Sequence, residues 1–168
     1  GCALLAIMIY IWFRFEWQFS IAAVIALGHD VISTVGLFAL ASFEFNLATV
    51  AAILTIAGYS INDTVVVFDR VRENLRKYKS WDQAKILNKS LNETLSRTVM
   101  TSVTTSLALL AIIIFGGAVL RDFALAMLWG VTIGTYSSIF VAVGVISRFD
   151  LKRSDDEDNS APVPEYER

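Results

Sequence analysis

Cysteine is almost missing from this sequence. Cys2 is its one thiol, so no disulfide can form within the chain, and neither a Cys-based zinc site nor a Cys-x-x-Cys redox centre is available. Histidine is equally scarce: His29 stands alone, and one imidazole beside Asp30 is too small a donor set for a metal site without ligands from elsewhere. No metal and no cofactor are expected. Charge is thin as well, at 18% of residues against 55% hydrophobic, with a mean hydropathy of +0.58. That balance excludes an ordinary water-soluble domain and makes a membrane protein the first reading. An initiating methionine is also absent. The chain opens at Gly1 directly into the apolar run 2–13, without the basic leader and small-residue cleavage site of a signal peptide. A spanning helix needs about 20 apolar residues, so residues 1–13 are expected to be the C-terminal part of a truncated transmembrane helix.

What the sequence does have is long apolar runs. Stretches 19–43, 47–68, 98–119 and 123–149 are each long enough to cross a bilayer, which adds four complete spans to the partial one. The connections at 14–18, 44–46 and 116–122 are short, so sequential helices should run antiparallel as neighbours. The exception is 69–97, a basic loop with Arg70, Arg72, Arg76, Lys77, Lys79, Lys85, Lys89 and Arg97. Lys and Arg accumulate on the cytoplasmic side of membrane proteins. With helices alternating, Arg14, this loop, Arg148, Lys152 and Arg153 share one face, which is therefore expected to be cytoplasmic, together with the C-terminus. The other face carries only Glu44, Asn46, Arg121 and Asp122. Trp12, Phe13, Phe15, Trp17 and Phe19 bracket the first cytoplasmic turn as interfacial anchors. The expected fold is an all-α membrane protein, a polytopic transmembrane helical bundle.

Inside the basic loop, Ser80 and Gln83 have the spacing of a capping box, with Ser90 and Glu93 as a second candidate start. Ala84, Leu87, Leu91 and Leu95 then recur at helical spacing, which predicts an amphipathic helix, either a connector or a docking surface. The tail 154–168 holds Asp155, Asp156, Glu157 and Asp158 with Pro162 and Pro164 and no apolar period. Such a segment is expected to be disordered and solvated.

Charged groups at membrane depth cost about 2.5–3.5 kcal/mol each on insertion scales, so they persist where they are paired, wetted or used. Asp63 lies about 6 Å inside the cytoplasmic end of span 47–68, and Arg97 stands at the mouth of the next span. Antiparallel packing would bring them to similar depth for pairing. Two readings follow: a proton switch, in which Arg97 alternately releases and reclaims the carboxylate, or a structural pair that fixes helix register. Asn62 would orient the carboxylate or merely satisfy it. Beyond Arg97 come Thr98, Thr101, Ser102, Thr104 and Thr105. Hydroxyls 98, 101 and 105 are expected on one face, lining a water path or bonding neighbouring backbone. His29 and Asp30 offer either a proton relay or a hydrogen bond between helices. Gly130 and Gly134 form a G-x-x-x-G pair, with Ser138 one turn further, which predicts close helix packing.

Longer strings then carry a family resemblance. GYSINDTVVVFDRVRENLR at 58–76, LSRTVMTSVTT at 95–105 and FGG at 115–117 resemble the SecF branch of the SecD/SecF family within the RND superfamily. RFEW at 14–17 and GHDV at 28–31 also fit, so the similarity covers roughly residues 2–153. The resemblance implies an RND/SecDF-type bundle whose full subunit has six helices, with a periplasmic domain between the first two that is not part of this sequence. It implies a transport subunit rather than an enzyme, in a bacterial inner membrane. There it would use the proton-motive force with SecD to promote preprotein translocation through the SecYEG channel. The implied partners are SecD, SecYEG, YajC, the preprotein and the lipid bilayer, with no nucleic acid. The family's S-x-N-D aspartate matches Asp63 and its R-T-x-x-T-S arginine matches Arg97, both implicated in proton conduction. The rivals are another RND-type proton-coupled exporter subunit and a non-conducting scaffold. A third, an intramembrane aspartyl protease using Asp30 and Asp63, lacks the G-x-G-D motif such enzymes need.

Overall fold

The computed structural model of the chain describes residues 9, 17–42, 47–149 and 151. Apart from residue 9, the expected partial span 1–13 lies outside them, as do anchors Trp12, Phe13 and Phe15, loop residues 44–46 and tail 154–168. The described residues are helical, with no strand among them. Helix α1 spans Trp17–Leu40, α2 spans Leu47–Lys77, α3 spans Gln83–Phe115 and α4 spans Gly117–Tyr136. A π-helical turn at Ser137–Ala142 continues α4 into the short α5, Val143–Ile146. Counting 120–146 as one helix, four helices among the described residues are long and apolar enough to cross a membrane.

The bundle is built with its oil outside. Ile32, Leu40, Leu47, Met100, Leu107, Phe115 and Phe140 are exposed, whereas Asp30, Ser60, Asp63, Thr64, Thr98, Ser137 and Ser138 are buried. A water-soluble core would reverse that order; a bundle solvated by lipid has no such need.

Two departures from the sequence reading concern helix ends. The amphipathic segment and the span after it are one helix, α3, without a break at residue 98. Its N-cap is Asp82, whose Oδ2 accepts from the Ala84 amide at 3.3 Å. The helix is therefore capped at Asp82 rather than at the predicted Ser80. The Gln83 side chain instead donates to the Phe149 carbonyl at 2.9 Å and accepts from the Leu151 amide. The expected connection 116–122 shrinks to a single residue, because α4 starts at Gly117. That tightness requires glycine: Gly117 has φ +74°, and a Cβ on Gly116 would meet the Ile112 carbonyl oxygen at 2.5 Å.

Side-chain pairs fix the packing register. Asn74 donates to Ser90 and Tyr59 pairs with Thr105, so α2 and α3 are antiparallel. Gly130 stands against Ile56, Gly134 against Ser60 and Ser138 against Thr64, so α2 and α4 are parallel. Two apolar clusters result. One, beside the 78–82 turn, gathers Phe19, Phe68, Val71, Ile86 and Ile146. The other gathers Phe38, Ala52, Ile56, Met127 and Val131. Between them each long helix contributes polar residues, and the candidate site lies in that layer.

Near the turn, in the charged half of α3 before the apolar run beginning at Thr98, Glu93 collects donors. It accepts from Arg70 at 2.7 Å and Asn74 at 2.8 Å, and pairs with Lys89 at 3.2 Å. Desolvation opposes its ionisation, but the hydrogen bonds from Arg70, Asn74 and Lys89 outweigh it and hold its carboxyl at about 2. A depressed carboxylate stabilises the fold above its unfolded pKa and ceases to as pH falls through the folded one. The unfolding-midpoint difference between wild type and Glu93→Gln is therefore expected to be small but constant above about pH 4.5, and to vanish toward pH 2. Thermal unfolding in detergent across that range checks it; a pH-independent difference would contradict it.

Candidate functional site: a buried polar layer with two carboxylates

Asp63 comes from the middle of α2 and is 4% exposed. Its Oδ2 has no hydrogen-bond partner among the described residues, and neither has the buried hydroxyl of Thr98 on α3. Ser60, three residues earlier, shares its helix face. Thr64 pairs with Ser138 at 2.9 Å, and the Ser138 hydroxyl also reaches the Ser60 carbonyl at 3.3 Å.

Arg97 does not pair with Asp63; it is exposed and forms no ion pair among the described residues, although its charge is near enough to act on the carboxylate. The reason is register. The Asn74–Ser90 and Tyr59–Thr105 contacts place Asp63 level with Thr101 and leave Arg97 about 6 Å nearer the 78–82 turn. Side chains lean toward their own helix N-terminus, so in antiparallel helices Asp63 leans away from that turn and Arg97 toward it. Similar depth, expected from sequence, is therefore missed by a helical turn. Asn62 is also misplaced by the sequence reading. One residue from Asp63 is a different helix face, and Asn62 is exposed.

The hydroxyl face of α3 is shifted too. Thr101 bonds back to the Arg97 and Thr98 carbonyls, while Ser102 pairs with Thr135 of α4 at 2.5 Å and Thr105 with Tyr59 of α2 at 3.0 Å. The inward face is thus 98, 102 and 105 rather than 98, 101 and 105.

Asp30 is the best-connected group of the layer. It is fully buried, and its Oδ2 accepts from Ser60 at 2.5 Å and from Ser137 at 2.6 Å. Its Oδ1 lies 3.0 Å from His29 Nδ1. One carboxylate therefore ties α1, α2 and the π-turn together. Ser137 and Ser138 sit in the π-turn, where the extra residue per turn re-aims side chains inward. Sequence reasoning missed Ser60, Thr64, Tyr59, Thr135 and Ser137. For Ser60 a signal existed, since it opens the S-x-N-D string and stands one turn from Asp63. No such signal marked Ser137. Among the described residues no three His, Cys, Asp or Glu converge as metal ligands. The layer offers protonatable carboxylates linked by hydroxyls, each of which both donates and accepts.

Gly130 and Gly134 face α2. A Cβ on Gly130 would stand 2.3 Å from an Ile56 side-chain carbon, and one on Gly134 would stand 3.3 Å from Ser60 Cβ.

Comparison with known proteins identifies the family and the fold. The family described as "Protein export membrane protein SecD/SecF, C-terminal" matches residues 1–152. The protein translocase subunit SecF of Rhodobacter capsulatus is 59% identical over 152 residues, covering 90% of this chain and 46% of that protein. The SecF of Rickettsia rickettsii is 52% identical over 145 residues, covering 86% and 47%. The chain thus spans about half the length of the curated relatives it matches. The crystal structure of SecDF from Thermus thermophilus, a translocon-associated membrane protein, superposes with a TM-score of 0.83 at 50% identity. That match covers 86% of this chain and 20% of the other. A SecDF structure in a super-membrane-facing form gives 0.82 at the same identity and coverage. With its four apolar helices and these relatives, the chain is a multi-pass membrane protein and belongs to the SecD/SecF family of protein export membrane proteins, of which it carries the C-terminal membrane region.

Proposed function

We propose that this region is the proton-coupling part of a SecF subunit. With SecD, it would use the proton-motive force to promote preprotein translocation through SecYEG across the bacterial inner membrane. The observation that carries the reading is Asp63: a carboxyl 4% exposed, in a membrane-spanning helix between two apolar clusters, with Oδ2 unpartnered. Such a group is costly at membrane depth unless it is used. Arg97 supplies the nearby positive charge, one helical turn away, so a modest slide of α3 against α2 would make or break the pair. That motion gives the carboxylate two environments, which a proton-driven cycle needs.

The end of the bundle at the 78–82 turn carries Arg70, Arg72, Arg76, Lys77, Lys79, Lys85 and Lys89. It is assigned to the cytoplasm, with the C-terminus on the same side. SecD and SecYEG are the working partners, with YajC as an accessory one and the preprotein as cargo. An enzymatic role is disfavoured: the second aspartate a protease would need, Asp30, already has its oxygens engaged by Ser60, Ser137 and His29.

Arg97→Met in the full-length subunit tests the pair. Vesicles containing that variant, SecD and SecYEG should assemble normally yet lose most proton flux and most gradient-stimulated export. The loss should be about 10²-fold if the guanidinium drives proton release. Flux and export both equal to wild type would favour a non-conducting scaffold.

A further inference from the structure

We propose that the acidic run 155–158 of this chain docks on the basic turn between α2 and α3, so that the C-terminal tail is held against the bundle instead of being freely solvated as its composition suggests. The contact is made within a single copy, and it does not depend on whether Asp63 carries protons.

The last described part of the chain is already fastened beside that turn. Past α5 the backbone is gripped by α3: Gln83 Nε2 donates to the Phe149 carbonyl at 2.9 Å, and Gln83 Oε1 accepts from the Leu151 amide at 3.4 Å. Phe149 meets Trp17 edge-on at 5.5 Å. Leu151 is 5% exposed, within the apolar cluster that holds Tyr78, Ile86 and Leu87. Lys152 and Arg153 come next, and Asp155, Asp156, Glu157 and Asp158 then follow in succession. An extended chain carries these acids up to about 14–25 Å from Leu151. Lys85 stands only two residues beyond Gln83 on α3, about 3 Å of helical rise, well inside that radius.

The surface within reach attracts anions. Arg76, Lys77, Lys79 and Lys85 are exposed and Lys89 is half-buried. Between residues 76 and 89 the one acid is Asp82, and its Oδ2 serves the N-cap of α3. The rings of Tyr78 and Trp81 stack at 4.2 Å. Lys85 Nζ lies 3.8 Å from the Trp81 ring centre, Lys77 Nζ lies 5.3 Å from that of Tyr78, and Lys89 Nζ lies 5.4 and 5.9 Å from the two. Three ammonium groups thus converge on one pair of rings. Glu93 offsets Lys89, whereas Lys85 forms no ion pair among the described residues. Like charges gathered in this way raise one another's energy, and a run of carboxylates lowers it. Segment 154–168 supplies six acids against one base, Arg168.

Depth favours a peptide over a lipid headgroup as the occupant. Lys85 precedes Thr98, where the apolar run begins, by 13 residues, which is about 20 Å along α3. The headgroup layer is about 5–8 Å deep on each face of a bilayer, so Lys85 projects past it into water.

Carbodiimide coupling, which joins a carboxylate to an amine it touches, tests the contact in the full-length subunit bound to SecD. The Lys89–Glu93 pair, 3.2 Å apart, is the internal control. With that control formed, residues 155–158 are expected to couple to Lys77, Lys79 or Lys85, within one copy when ¹⁴N- and ¹⁵N-labelled subunits are mixed. The yield should fall steeply between about 0.05 and 1 M salt, as screening shortens the reach of the charges. Lys85→Glu leaves the amines of Lys77 and Lys79 in place but turns an attraction into a repulsion, so coupling at those two should drop about fivefold; chance proximity would leave it unchanged. Absence of tail-to-turn coupling beside a formed control overturns the proposal, as does coupling of the tail to lysines of SecD or of a second copy instead. Coupling that forms in neutral detergent but disappears in phosphatidylglycerol vesicles would give the surface to lipid headgroups and overturn it too. Proton flux is not read in this experiment, so the Asp63 reading and this one fail separately.

Discussion

Replacing Asp63 by asparagine in the full-length subunit is expected to stop proton-driven export while leaving the subunit folded and assembled. Asparagine matches aspartate in shape but neither takes up nor releases a proton, so a step that needs protonation of this atom has no substitute. Loss of a positioned acid–base group costs about 10²–10⁴-fold, and an effect of that size is expected in proton flux and in gradient-stimulated export alike. The fold should tolerate the change because the neighbouring bonds do not involve Asp63. Thr64 holds Ser138, and Ser60 holds Asp30. Asp63→Glu keeps the titrating group but moves it, so partial flux should return. Thr104→Val is the control, since that exposed hydroxyl bonds only to carbonyls of its own helix. Proton uptake into vesicles and protease protection of exported preprotein give the two readouts. Wild-type flux in Asp63→Asn would remove the carboxylate from the mechanism.

Which parts of this were legible beforehand follows from how local each feature is. The spans announce themselves through apolar runs, because hydropathy is a property of consecutive residues. The unbroken α3 did not, since Lys85, Lys89, Glu93 and Arg97 mark a boundary of environment. The helix has no reason to stop there: 83–115 contains neither glycine nor proline. Asp82 was passed over as N-cap in favour of Ser80, because Ser80–Gln83 matches a capping box while the choice is settled by where Gln83 points. Asp63 was recognisable as a charge out of place. Its offset from Arg97 was not, because one turn of register depends on contacts such as Asn74–Ser90 that no single helix encodes. Asp30 was visible as a buried acid but not as a hub, since Ser60 and Ser137 lie 30 and 107 residues away. The π-turn that aims Ser137 inward has no signature in SSIFVA. Local physics was readable, and the site depends on the part that is not local.

Of the two methyl additions at the α2–α4 glycines, Gly130 and Gly134, Gly130→Ala is expected to be the more disruptive. Its Cβ would lie 2.3, 2.4 and 2.7 Å from Ile56 side-chain carbons, and Ile56 is itself buried among Ala52, Met127 and Val131, so it has little room to give. Overpacking of a closed interface costs about 1–3 kcal/mol, and Gly130→Val should exceed the alanine change. Gly134→Ala differs in kind. Its new Cβ meets Ser60 Cβ at 3.3 Å, a contact relieved by a few tenths of an ångström, and the displaced residue is the one that donates to Asp30 at 2.5 Å. It should therefore cost less stability yet disturb the polar layer. Gly144→Ala is the reference, with nothing within 4 Å, and should be neutral or stabilising by up to about 1 kcal/mol, as glycine is a poor helix former. Because the clash is with one side chain, Ile56→Ala should partly rescue Gly130→Ala, giving a favourable coupling in a double-mutant cycle. Thermal unfolding of the five single variants and the double variant in detergent decides the matter. If Gly130→Ala were as stable as Gly144→Ala, α2 and α4 would not meet at Ile56, and the register that places Ser138 against Thr64 would have to be abandoned with it.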